Sequence, residues 1–143
     1  MFIGEYTLSI DEKGRISIPA KFRDQLHGKA IVTRGLDNSL FVYPMDEWTK
    51  LAEKLAALPI SKANSRAFAR LMLAGAMDCE VDKAGRITLP DYLRTFAKVH
   101  KKAVVAGMYN RLEIWSEDLW KKYKSNTEKD SGKIAEQLDE IGV

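Results

Sequence analysis

Asp11-Glu12-Lys13-Gly14-Arg15-Ile16-Ser17-Ile18-Pro19 recurs as Asp82-Lys83-Ala84-Gly85-Arg86-Ile87-Thr88-Leu89-Pro90, an offset of 71 residues (82 − 11 = 71). After a slip the match resumes. Ala30-Ile31-Val32, Gly35, Asn38, Leu40, Val42 and Trp48 align with Ala103-Val104-Val105, Gly107, Asn110, Leu112, Ile114 and Trp120. Shared Gly, Pro, Arg and Trp, with like-for-like apolar exchanges between them, mark a duplication. Working outward from the motif, Tyr6, Leu8 and Ile10 alternate with Glu5, Thr7 and Ser9, the period of a half-buried strand. Gly14 supplies a tight turn and Arg15 opens the returning strand, with Ile16 and Ile18 on one face. Pro19 ends that strand and presets φ for a short helix, Ala20 to His27, closed by Gly28.

Downstream, Ala30–Thr33 and Leu40–Tyr43 flank Gly35–Ser39 and read as a hairpin; Val104-Val105 and Leu112–Trp115 repeat it. Pro44 and Ser116 then precede acids in the first turn of a helix, where the helix dipole favours negative charge. Between the copies, helices are expected over Trp48–Leu58 and Ser61–Ala74, with Gly75 as the cap. On the second, Lys62, Arg66 and Arg70 form a polar stripe opposite Phe68, Leu71 and Met72. The expected organisation is a first repeat over 1–48, a helical connector over 49–75, a second repeat over 76–124 and an acidic, weakly held helical tail over 125–143 that carries Ile134, Leu138 and Ile141. The fold class is a β-rich α+β protein.

With 143 residues, 45% of them hydrophobic, the chain has enough apolar material for a real core. Its net charge of +3 is too small for a non-specific nucleic-acid coat, so any DNA contact must come from locally concentrated charge. One cysteine, Cys79, excludes an intrachain disulfide, and two histidines with no zinc-type spacing give no metal site; no cofactor is expected. Cys79 aligns with Leu8 and reads as a small buried hydrophobe. Without a secretory start or a long apolar run, the reading is a cytoplasmic protein that does not enter a membrane.

An Asp four residues before an Arg, across a glycine turn, can fold its carboxylate back onto the turn amides or onto the guanidinium. An Arg so held loses less entropy when it forks onto guanine O6 and N7 or onto phosphate. Arg15 and Arg86 are thus candidate DNA-binding residues, with Asp11, Gly14, Asp82 and Gly85 supporting them and Lys13 and Lys83 adding phosphate contacts. The same spacing equally describes a structural ion pair that closes a hairpin. Arg94, Lys98, Lys101 and Lys102 form a second basic stretch that reads as solvated surface, and Trp48 and Trp120 read as packing residues.

The run from Met1-Phe2-Ile3-Gly4-Glu5-Tyr6 through Asp11, Lys13, Gly14, Arg15, Ile16, Ile18, Pro19, Phe22 and Arg23, with the second motif from Asp82 to Pro90, resembles the MraZ family of the SpoVT-AbrB superfamily. The likeness extends to the acidic tail. It implies a swapped-hairpin β-barrel formed as an intrachain pseudo-dimer of two SpoVT-AbrB repeats with flanking helices, and a homo-oligomer closed into a ring. It also implies a nucleoid-associated transcriptional regulator, a repressor of the division and cell-wall gene cluster, that binds double-stranded DNA at short G-rich direct repeats. Carried over, the DNA-contacting positions are Lys13, Arg15, Lys83 and Arg86.

An enzyme is not expected. Asp11 and Asp82 resemble a symmetric carboxylate pair, but the adjoining arginines would keep both ionised. A protein-binding adaptor or antitoxin-like module remains the alternative, because fold alone does not fix function.

Overall fold

The computed structural model describes residues 1–142. Copy one supplies β1 (Phe2–Ser9), β2 (Arg15–Ser17), α1 (Ala20–Leu26), β3 (Lys29–Arg34), β4 (Leu40–Tyr43) and α2 (Met45–Ala56). A connector, α3 (Ala63–Ala69), runs into a π-helical turn, Arg70–Ala74. Copy two repeats the order with β5 (Met77–Glu80), β6 (Arg86–Thr88), α4 (Asp91–Ala97), β7 (Lys102–Tyr109), β8 (Leu112–Ser116) and α5 (Glu117–Lys129). The described chain ends in α6 (Ser131–Gln137) and a 3-10 turn, Asp139–Ile141.

The protein is α+β. Six strands form one antiparallel sheet in the order β1-β7-β8-β4-β3-β5, and β2 and β6 form a separate two-stranded ribbon. In both sheets the copies exchange strands. β1 pairs with β7, Leu8 against Ala103, and β5 pairs with β3, Cys79 against Ala30. Half-buried strands need partners for their backbone groups, and each copy's first strand finds them on the other copy's hairpin. One core follows: Ile16, Ile18 and Phe22 of copy one and Ile87, Leu89 and Leu93 of copy two are all buried and belong to a single cluster. A second cluster, Phe41, Tyr43, Leu55 and Met72, seats α2 and the π-helical turn on the outer face of β4, with Trp48 packed against it.

Several local expectations need adjusting. β1 begins at Phe2, ahead of the alternating stretch, because Gly4 at φ 97 interrupts the pattern without interrupting the pairing. The copies are offset by 73 residues in the strand before the hairpin loop, since Val32 faces Val42 as Val105 faces Ile114 (105 − 32 = 73). After the loop the offset is 72 (114 − 42 = 72). Arg34, not Gly35, therefore stands where Gly107 does, and the loop of copy one is one residue longer. α1 stops at Leu26 because His27 is left-handed at φ 51. Helix α2 starts at Met45, directly after Pro44. The expected second connector helix is α-helical only to Ala69. Its widened last turn puts Met72 in the core, where Thr33 Oγ1 donates to the Met72 carbonyl at 2.6 Å, and leaves Phe68 36% exposed. In the tail, α5 continues unbroken through Ser125, and every side chain from Lys121 to Gly142 is exposed.

Candidate nucleic-acid interface

The two motifs fold alike. In the first turn, Asp11 Oδ1 accepts from the backbone N–H of Lys13 and of Arg15, both at 2.9 Å, and Oδ2 accepts from Arg15 Nε at 2.6 Å. In the second, Asp82 Oδ1 accepts from Ala84 N at 2.9 Å and Arg86 N at 2.8 Å, and Oδ2 accepts from Arg86 Nε at 3.0 Å. Each carboxylate thus holds the turn and the guanidinium together, so the two functions that sequence reasoning offered as alternatives are carried by different oxygens of one group. These hydrogen bonds hold both carboxyls below the ordinary aspartate value, with the backbone N–H of Arg15 and of Arg86 the largest cause and desolvation opposing. Both groups stay ionised at neutral pH, and both motif aspartates are exposed.

Clamping through Nε has a geometric consequence. Among the described residues no hydrogen bond occupies the terminal nitrogens of Arg15 or Arg86. Both arginines share the outward face of the β2–β6 ribbon, because Ile16 lies opposite Ile87 and these two face the core. Arg15 pairs with Thr88 and Ser17 with Arg86, so the arginines are diagonal neighbours, roughly 7–8 Å apart on an ordinary sheet. A two-stranded ribbon is one of the shapes that fits the DNA major groove.

The lysines are less symmetric. Lys13 takes the place of Ala84 and Lys83 the place of Glu12 (84 − 13 = 71; 83 − 12 = 71). Both are exposed. Lys13 and Arg15 line an open recess together with Lys101 and Lys102 and with the acids Asp11 and Glu12, so its lining carries a basic excess.

Sequence reasoning missed the braces. Arg94 was expected in solvent but is partly buried, donating Nε to the Leu89 carbonyl at 3.1 Å and pairing with Asp91. Its guanidinium lies over the first motif's turn: a Cβ at Gly14 would sit 2.7 Å from Arg94 Cζ. Arg23 mirrors it, donating Nε to the Ile18 carbonyl at 2.7 Å and covering Gly85, where a Cβ would collide with the Arg23 guanidinium. The backbone repeats this exchange, Ile18 N donating to the Gly85 carbonyl and Leu89 N to the Gly14 carbonyl, both at 2.9 Å. Each candidate DNA loop is therefore held by the other copy. The available signal was the 71-residue match between Arg23 and Arg94, which extends the repeat past its prolines.

The remaining singled-out residues lie away from the ribbon. Cys79 is buried and its thiol is pushed up to about 11, chiefly by desolvation. Trp48 packs on Tyr43 at 5.9 Å. Trp120 packs on Trp115 at 5.3 Å and also donates to Glu5 of β1. Arg66 donates to the Ile60 carbonyl at 2.9 Å, fixing the loop before α3. Among the described residues no cluster of His, Cys, Asp and Glu has the makings of a metal site, and no helix is long and apolar enough to cross a membrane.

A family model for the MraZ protein, described as antitoxin-like, matches the chain twice, over residues 1–71 and 72–140. A protein of Caldanaerobacter subterraneus subsp. tengcongensis is 49% identical over 143 residues, covering all of both chains. One from Limosilactobacillus reuteri is 53% identical over 139 residues, 97% of this chain and 98% of its own. One from Thermoanaerobacter is 48% identical over 143 residues, again all of both. Each of the three bears the name transcriptional regulator MraZ.

Proposed function

The chain belongs to the MraZ family, and from that premise we propose that it is a transcriptional regulator that binds double-stranded DNA through the outward face of the β2–β6 ribbon. The observation that carries the reading is the pair of clamped arginines on one face, each with terminal nitrogens that no hydrogen bond occupies among the described residues. Arg15 and Arg86 read guanine O6 and N7, and Lys13 and Lys83 contact phosphate. Asp11 and Asp82 orient the arginines, and Gly14 and Gly85 make the turns that let them do so. Binding follows short G-rich direct repeats ahead of a division and cell-wall gene cluster, with repression as the outcome, in the nucleoid.

The exchange of β1 and β5 between copies supports describing the two sheets as a swapped-hairpin barrel, with repeats over 1–48 and 76–124, a connector over 49–75 and a tail over 125–143. A few base contacts per chain make a weak site, so several chains closed into a ring give tight binding to tandem repeats by avidity. A strictly monomeric variant then binds a multi-repeat duplex no more tightly than the number of independent sites accounts for.

Fluorescence anisotropy against duplex from upstream of the protein's own gene, a scrambled duplex and several salt concentrations tests the reading. Arg15→Ala and Arg86→Ala each cost roughly 1–3 kcal/mol on the native duplex and lose discrimination. Lys13→Ala and Lys83→Ala weaken all duplexes alike and reduce the salt slope by about 1 each. Equal binding to both duplexes, unchanged in the arginine variants, refutes it. The antitoxin-like description of the family favours a second reading, a protein-binding module, and a stoichiometric protein partner with no salt-dependent DNA binding would establish that instead.

A further inference from the structure

Beside its charged residues the repeated motif carries Ser17 and Thr88. They are equivalent (88 − 17 = 71), both are exposed, and among the described residues neither hydroxyl has a hydrogen-bond partner. The ribbon's register decides where they stand. Ile16 and Ile87 face each other and are buried, at 0% and 1% exposure, so strand alternation turns the residues on either side of them outward. Thr88 is directly opposite Arg15, and Ser17 directly opposite Arg86. Opposed side chains on an antiparallel pair have Cβ atoms about 4.5–5.5 Å apart. The outward face is thus a four-residue array in which each arginine has one short hydroxyl side chain beside it.

Short side chains at the centre of a ribbon touch nothing unless the ribbon itself enters a groove, and there they meet base edges rather than phosphates. Resting on the reading that this face enters the major groove, we infer that Ser17 and Thr88 are specificity-determining residues. Thr88 sets its methyl against the C5-methyl of a thymine next to the base held by Arg15, and Ser17 offers its hydroxyl to the base edge next to the one held by Arg86. Only copy two carries the methyl, and the lysines are placed differently in the two turns. The pseudo-symmetric face therefore reads its site in one orientation.

The test replaces the thymines of the native duplex one at a time by uracil, which removes only the C5-methyl. At one position the wild-type protein loses about fourfold in affinity, the worth of one buried methyl. Thr88→Ser is weakened by a similar factor on the parent duplex and is indifferent to that uracil, whereas Thr88→Val keeps the sensitivity. Ser17→Ala loses about fivefold on the native duplex and recovers no such loss at any thymine. Circular dichroism and thermal unfolding establish that the variants are folded. Uracil effects that are absent at every thymine, or identical in wild type and Thr88→Ser, overturn the assignment of Thr88, and unchanged binding by Ser17→Ala overturns that of Ser17. If Arg15→Ala meanwhile still loses its preference for the native duplex, only this inference falls. Equal binding of native and scrambled duplex by the wild type brings down the underlying reading as well.

Discussion

Gly14 and Gly85 show how closely each motif is fitted to the other copy. Both stand at φ +80, a conformation that costs an alanine about 1–2 kcal/mol, and both lie under an arginine. At Gly85 the three atoms nearest a new methyl all belong to the side chain of Arg23; at Gly14 they are two side-chain atoms of Arg94 and, at 3.0 Å, the Leu89 carbonyl, which is backbone. Gly14→Ala and Gly85→Ala are therefore both destabilising in denaturant unfolding, and an alanine tolerated without cost at either position would show that the braces do not pack as described. Asp11→Asn leaves one acceptor for three donors and turns an amide toward Arg15 Nε, so its duplex affinity drops severalfold while its unfolding stays cooperative. Cys79, with its thiol at about 11, reacts slowly with alkylating reagents at pH 8 in the native protein and quickly in denaturant. The Asp–Arg clamp and the burial of Cys79 were legible in spacing and alignment. The Arg23 and Arg94 braces were not, because a cross-copy contact between an arginine and a glycine leaves no periodic mark.

The helix α5 is fastened to a strand of the other copy. Glu5 on β1 accepts from Lys124 Nζ at 2.6 Å and from Trp120 Nε1 at 2.5 Å, which holds its carboxyl below the ordinary glutamate value, the Lys124 hydrogen bond being the larger cause. A lowered carboxyl contributes stability that is present above its unfolded-state value and is lost as pH falls through the folded one. Glu5→Gln accordingly costs up to about 1 kcal/mol at pH 7, as exposed pairs do, and the gap from wild type closes in acid; a gap that persists there would mean the packing of Trp120 carries the effect. The strands with clean alternation and the hairpins downstream of the motif were readable; that β2 leaves β1 and pairs with β6 was not, since the sequence shows only a strand returning after a glycine turn. The π-helical turn at Arg70–Ala74 was hidden, since the Thr33 hydroxyl that bonds within it at Met72 lies 39 positions away in sequence. The start of β1 was hidden too, because a glycine inside a strand looks like a boundary.

With both copies contributing to one core and the first strand of each laid on the other, neither repeat has a complete fold of its own. Residues 1–71 expressed alone should show no cooperative thermal transition as a monomer, and a sharp one would contradict the shared core. Duplication made this architecture visible in outline from the sequence, while the pairing of β1 with β7 required the structure, because nothing local distinguishes a strand's own hairpin from its copy's. Under the proposed function the two clamped arginines meet guanine in the major groove. The most direct check substitutes 7-deazaguanine, which lacks the N7 acceptor, for the guanines of the native duplex and compares wild type with Arg15→Ala and Arg86→Ala by anisotropy. The wild type is expected to lose affinity, and each variant to show no such loss at the guanine its missing arginine would have held; losses that are the same in all three proteins, or no loss in the wild type, would rule out the guanine contact.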